Sequence, residues 1–113
     1  MAFIADFDKN KIADAIIAFR DKLGVYDFNG TQIYNLDLPE NTNSSAVNFY
    51  DINNSFFVNI FDDINSNTLI LNTEQKTIKE YKSSQPPFIC DLFNDGKAYV
   101  LIVLNGEFKC VKL

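Results

Sequence analysis

The chain contains no histidine. That removes imidazole acid–base catalysis, Ser-His and Cys-His nucleophile pairs, and the usual histidine-bearing zinc and iron sites. Four glycines in 113 residues cannot supply a phosphate-cradling P-loop or a dinucleotide-binding turn. There are only two cysteines, Cys90 and Cys110, too few for a disulfide scaffold or a four-thiolate zinc site. They read as two buried thiols that pack as small apolar groups. The N-terminal residues lack a basic segment followed by a long apolar one, so no signal peptide is expected. The longest apolar run, 98–104, is far short of the roughly 20 residues of a membrane span. Ten basic residues against 15 acidic ones, with no basic cluster beside the aromatics, disfavour nucleic acid as a partner. The expectation is a cytoplasmic protein with no membrane contact and no cofactor.

Apolar material is plentiful: 47% of residues are hydrophobic and 14% aromatic, with 11 Phe and 5 Tyr. One domain with a single core is expected. Ile12, Ile16, Phe19 and Leu23 fall on one helical stripe, Asp8 suits an N-cap and Gly24 a C-terminal stop. This predicts a helix over 9–23, with Ile17 off the stripe. Asn29-Gly30 between two β-rich runs predicts a tight hairpin. Strands are expected over 46–52, 55–61 and 68–71, with a polar turn at 62–67. The stretch 73–83 reads as a short helix, because Ile78 and Tyr81 are three apart and the charges follow the helix dipole; a strand paired with 68–71 is the rival. The run 98–104 reads as a central strand buried on both faces, turned by Asn105-Gly106 into a C-terminal hairpin. The predicted fold is α+β: an N-terminal helix packed on an antiparallel sheet of about five to seven strands. No internal repeat is apparent.

Two segments resemble calcium loops in spacing only. Asp63, Asn65, Asn67 and Glu74 fill four positions of the template, but Thr68 stands where the sharp turn needs glycine. In the other, Asp6, Asp8 and Asn10 match, but Lys11 takes the glycine position and Ile17 the position of the closing glutamate. Neither is assigned a metal. Asp62 and Asp63 are adjacent, so on a strand they would point to opposite faces and could not cooperate as paired carboxylates. No catalytic residue is assigned.

Charge is unevenly spread. Between Lys22 and Lys76 lie seven acids and no base, a charge of −7; the remainder holds ten bases and eight acids, +2, and together they give −5. Were the middle strands to share one side, that side would attract a basic protein. The expected function is therefore non-enzymatic partner binding by an acidic immunity or inhibitor protein. It would occlude the active site of a basic toxin or nuclease-like enzyme. The expected contacts are Asp37, Glu40, Asp51, Asp62 and Asp63, with Tyr50 as an aromatic anchor. Two alternatives stand beside it. One is a structural or assembly subunit (a phage or accessory protein) that forms a homo-oligomer through Ile17 and the 98–104 strand. The other is a small-ligand domain with a pocket between helix and sheet.

Overall fold

The computed structural model describes residues 2–74 and 76–113. Those residues form eleven strands and no helix. β1 (Ala2–Ala5), β2 (Asp14–Phe19), β3 (Lys22–Tyr26) and β4 (Gln32–Asp37) make the first sheet. β5 (Ala46–Ile52), β6 (Ser55–Asp62), β7 (Asn67–Asn72) and β8 (Thr77–Lys82) make the second; β9 (Phe88–Cys90), β10 (Tyr99–Leu104) and β11 (Glu107–Lys112) make the third. Every pairing is antiparallel and joins strands consecutive in the chain. No helix of the described residues is long and apolar enough to cross a membrane.

The predicted α+β class is thus corrected to all-β. In place of the 9–23 helix the chain makes a loop and then the β2–β3 hairpin, turned at Arg20 with φ 56°. The helical stripe dissolves into unrelated environments: Ile12 is exposed in the loop, Phe19 is on an open sheet face, and Ile16 and Leu23 are buried on two different strands. What decides is period two: Ile16 and Ala18 are fully buried while Ile17 and Phe19 are open to solvent. The 73–83 helix is likewise replaced by β8, paired with β7 from Asn67↔Lys82 to Asn72↔Thr77. Ile78 and Tyr81 are three apart because each packs against a different sheet. Ile78 joins the core between the first and second sheets, Tyr81 that between the second and third.

The three sheets are versions of one meander. Their first strands begin at Ala2, Ala46 and Phe88, about 43 residues apart, a spacing typical of four-stranded blade repeats. β5 touches both β1 and β9, so the first strands lie side by side and the sheets fan away from them. The molecule measures 44 × 35 × 19 Å. The short dimension matches a six-residue strand, about 20 Å long. Stacking of this kind joins propeller blades. The repetition lies in geometry and not in residue identity, which is why the sequence conceals it.

Two cores result. Ile16, Ala18, Leu23 and Val25 of the first sheet meet Val58, Ile60, Leu69 and Leu71 of the second. On the second sheet's other face Phe57 and Ile70 meet Ile89, Val100 and Ile102 of the third. The middle sheet is therefore covered on both faces, and β6 is buried from Phe56 to Asp62. The predicted doubly buried strand 98–104 is central in its sheet but covered on one face only: Val100 and Ile102 are buried, whereas Leu101 and Val103 are half-exposed.

The turns sort by end. The β1–β2 loop, the Asn53-Asn54 turn and the β9–β10 loop share one end. There Lys9 Nζ donates to Asn54 O at 2.7 Å and to Glu74 Oε1 at 2.7 Å. Both Asn53 and Asn54 are left-handed, φ 54° and 67°, as a type I′ hairpin requires. The Asn29-Gly30 turn differs from that expectation. Only Gly30 has positive φ, and Asp27 Oδ1 accepts from the backbone N–H groups of Asn29 and Thr31, both at 2.9 Å.

Candidate functional site

The six residues expected to contact a partner do not form one surface. Asp37, Glu40, Asp62 and Asp63 stand at the end where β4 and β6 finish, and Glu40 and Asp62 line one shallow groove with Asn41, Asn65 and Lys82. Asp51 is opposite Phe56 at the start of β6, six residues and roughly 20 Å from Asp62 along the strand. Tyr50, beside it, is half-buried; its hydroxyl donates to Pro87 O at 3.3 Å and its ring meets Phe88 edge-on at 6.2 Å.

Several of these carboxylates are already used by the fold. Asp62 is 2% exposed. It accepts from the N–H of Asn43 and of Asn65, both at 2.9 Å, and from Asn65 Nδ2 at 2.6 Å. Burial pushes its carboxyl up, but the bonds from Asn43 and Asn65 outweigh burial and hold it below its ordinary value. Asp63 accepts from Ser45 Oγ at 2.5 Å and Asn43 Nδ2 at 3.1 Å. Asp37 pairs with Lys22 at 3.2 Å. Of the remaining acids between Lys22 and Lys76, Glu74 pairs with Lys9 at 2.7 Å, and Asp27 sits at the opposite end from Asp62. The bases flanking this acidic stretch in sequence therefore fold back onto part of it.

The exposed surface with a distinct chemistry is apolar. The outer face of the third sheet carries Phe88, 59% exposed, and Phe108, 83% exposed. Register places Leu101 between Phe88 and Cys110, and Val103 opposite Phe108, and residues directly opposite share a face. Cys110 is exposed and Cys90 half-exposed, both unbridged, where burial was expected. At the rim, the neighbouring Lys97 ammonium holds that of Lys112 below its ordinary value.

The outer face of the first sheet carries Ile4 and Phe19, each 65% exposed, and Ile17, 37% exposed. Gly24 leaves a hollow between Ile17 and Asn35, and the Tyr26 ring lies close over it: a Cβ there would be 3.0 Å from Tyr26 Cε2. The hollow opens into a groove of about 470 Å³. It belongs to an open sheet face; the expected pocket between helix and sheet has no counterpart, since the described residues include no helix.

The two outer faces are related through the repeat. Asp14 and Tyr99 each begin the second strand of their sheets, so Ala15 corresponds to Val100, Ile16 to Leu101, Ile17 to Ile102 and Ala18 to Val103. Ile16 and Ala18 are fully buried against the second sheet, whereas Leu101 and Val103 face outward. Conversely Val100 and Ile102 are buried, whereas Ala15 and Ile17 face outward. Each outer face is thus the counterpart of a face that is covered by a sheet elsewhere in the chain. Of these residues the sequence singled out Ile17 and the 98–104 run; Phe88 and Phe108 could be placed on the same face only through the register. Comparison with protein-family models, with curated proteins and with solved structures finds no match.

Proposed function

We propose that this chain is a non-enzymatic assembly module that binds a second copy of itself, the outer face of its third sheet docking on the outer face of the partner's first sheet. The observation that carries this reading is the correspondence between Leu101 and Val103, which are open, and Ile16 and Ala18, which are covered. The stacking that joins the first sheet to the second and the second to the third, applied once more, brings these two outer faces together. Burying a large apolar side chain contributes about 1.5–3 kcal/mol, so several per face give a driving force of the size that assembly needs. A contact between unlike faces is heterologous and closes into a ring when the rotation permits.

The acidic-inhibitor reading needs its carboxylates on one side. They divide between the two ends, and Asp37 and Asp63 have partners while Asp62 is buried, so the proposal rests on the sheet faces instead. The partner is protein: the chain's net charge of −5 opposes nucleic acid. Unbridged Cys90 and Cys110 suit a reducing compartment, and we assign the cytoplasm.

Sedimentation velocity across a concentration series tests the reading. Wild-type protein is expected to sediment as a multiple of the chain. Ile17→Glu and Leu101→Glu, on opposite faces, are each expected to give monomers. Mixed in equal amounts, each retains the face that the other lacks, so they are expected to form a capped one-to-one pair. A wild-type monomer at every concentration, or variants that assemble as wild type does, would overturn the proposal.

A further inference from the structure

The chain builds one loop twice. In 6–14, Asp6 Oδ1 accepts from Asn10 N at 3.0 Å and Asp6 Oδ2 from Lys11 N at 2.8 Å, while Asn10 Oδ1 accepts from Ile12 N at 2.9 Å. In 91–99, Asp91 Oδ1 accepts from Asp95 N and Asp91 Oδ2 from Gly96 N, both at 2.9 Å, while Asp95 Oδ1 accepts from Lys97 N at 3.0 Å. The left-handed residues also coincide: Lys9 and Asn94 at 63° and 53°, Lys11 and Gly96 at 69° and 77°. Each loop feeds the second strand of its sheet, at Asp14 and Tyr99.

Among the positions at which the loops differ, two whose side chains take no part in the shared hydrogen bonds stand out. The later loop has Phe93 and Tyr99 there, packed edge-on at 4.9 Å. The earlier loop has Asp8 and Asp14. The hydrogen bonds common to both loops therefore form without those two carboxylates, although in the earlier loop Asp8 Oδ1 also accepts from Asn10 N at 3.3 Å. Yet with Asp6 they form the one group of three metal-type ligands among the described residues, their oxygens within 4.8 Å of one another. Three anions so close repel one another unless a cation joins them.

Asp14 supplies an independent observation. It is 1% exposed. Its Oδ2 accepts from Phe7 N at 2.9 Å and Asp8 N at 3.4 Å, but its Oδ1 is buried with no hydrogen-bond partner. Leaving a buried carboxylate oxygen unsatisfied is costly, and a cation held with Asp6 and Asp8 would satisfy it.

We propose that Asp6, Asp8 and Asp14 bind one calcium ion. Oxygen ligands at 2.3–2.6 Å from Ca²⁺ lie at most about 5 Å apart across the ion, which suits this cluster; Mg²⁺, with ligands at about 2.0–2.1 Å, demands a tighter cage. Asp6, Asp8 and Asn10 stand at positions 1, 3 and 5 of a calcium loop, and the seventh-position carbonyl is that of Ile12. The objection that Lys11 takes the glycine position falls, because Lys11 adopts the left-handed conformation. The closing glutamate is missing, Ile17 being on β2, and Asp14 at position 9 provides the third carboxylate in its place.

Isothermal titration of EDTA-stripped protein with CaCl₂ tests this, with the shift in thermal midpoint at 1 mM Ca²⁺ as a second readout. One ion per chain is expected, with a raised midpoint. Asp8→Asn, at an exposed position, is expected to weaken binding at least tenfold, as is Asp14→Asn. Asp95→Asn, in the sister loop, is expected to leave Ca²⁺ affinity unchanged. Absence of binding at millimolar Ca²⁺, equal affinity in Asp8→Asn, or tighter binding of Mg²⁺ would overturn the assignment.

Discussion

Lys11 and Gly96 hold the same place in two loops with the same hydrogen-bond pattern, with φ of 69° and 77°, although one has a side chain and the other none. A left-handed conformation costs a residue with a Cβ roughly 1–2 kcal/mol. The two positions therefore respond oppositely to exchange. Lys11→Gly is expected to raise stability by about 0.5–1 kcal/mol. Gly96→Ala is expected to lower it by about 1–3 kcal/mol, because the added Cβ would also fall 2.7 Å from Asn53 Nδ2. Urea unfolding midpoints in EDTA, which keeps any bound ion out of the comparison, measure both.

Asp62 makes a pH signature. Its carboxyl is held below its ordinary 3.8 in the folded chain, so the unfolded chain takes up a proton first as pH falls. The stability it contributes is present above about pH 4 and is lost as pH drops through the folded value. Asp62→Ala, which strands the Asn43 and Asn65 donors, is expected to cost about 1–3 kcal/mol at pH 7. It should also flatten the loss of stability on acidification below about pH 4. Urea midpoints measured across that range check the sign.

Covered and open faces should differ sharply in tolerance. Ile60→Ala, at a residue 1% exposed between the first and second sheets, is expected to cost about 2–5 kcal/mol. Phe108→Ser, at a residue 83% exposed, is expected to change the monomer's unfolding free energy by less than about 0.5 kcal/mol while weakening self-association. Chemical denaturation at low protein concentration and sedimentation at high concentration separate the two effects.

The thiols should remain independent. Cys90 is opposite Tyr99 and Cys110 opposite Leu101, on either side of β10. Two strand spacings separate them by roughly 10 Å or more, beyond the roughly 7 Å between Cα atoms that a disulfide can span. Thiol titration of the folded chain at concentrations low enough to keep it monomeric is expected to find two reactive groups, Cys110 the faster. A mild oxidant is expected to produce no intrachain bridge, as judged by intact mass.

How much was legible follows from the type of signal. Turns written in local chemistry could be read: Asn105-Gly106 joins β10 to β11, and both residues are left-handed. The N-terminal segment could not, because four apolar residues fell on a helical stripe by coincidence while the deciding alternation of Ile16 and Ala18 against Ile17 and Phe19 was masked by apolar residues on both faces. Ile78 and Tyr81 misled for a different reason: β8 is a largely exposed edge strand that sends one half-buried residue into each flanking core, so its two apolar residues fall three apart. The acidic stretch was legible as composition only. Which carboxylates would be drawn into turns, as Asp62 is by Asn43 nineteen residues earlier, depends on the connection between sheets. The loop around Asp6 and Asp8 departs from the calcium template in its residues at Lys11 and Ile17, and residue identity does not disclose the left-handed backbone angle that Lys11 adopts.

Every strand here pairs only with its neighbours in the chain, and this has a consequence for how the protein comes into being. Contacts of short sequence separation lower the entropy lost in closing them, so rapid folding is expected for an otherwise all-β chain. The same plan allows growth by duplication: a further meander can be appended without rethreading any that precede it. Residues within a blade can then differ while the backbone plan is kept, as Asp8 and Phe93 do at equivalent places of two loops with the same hydrogen bonds.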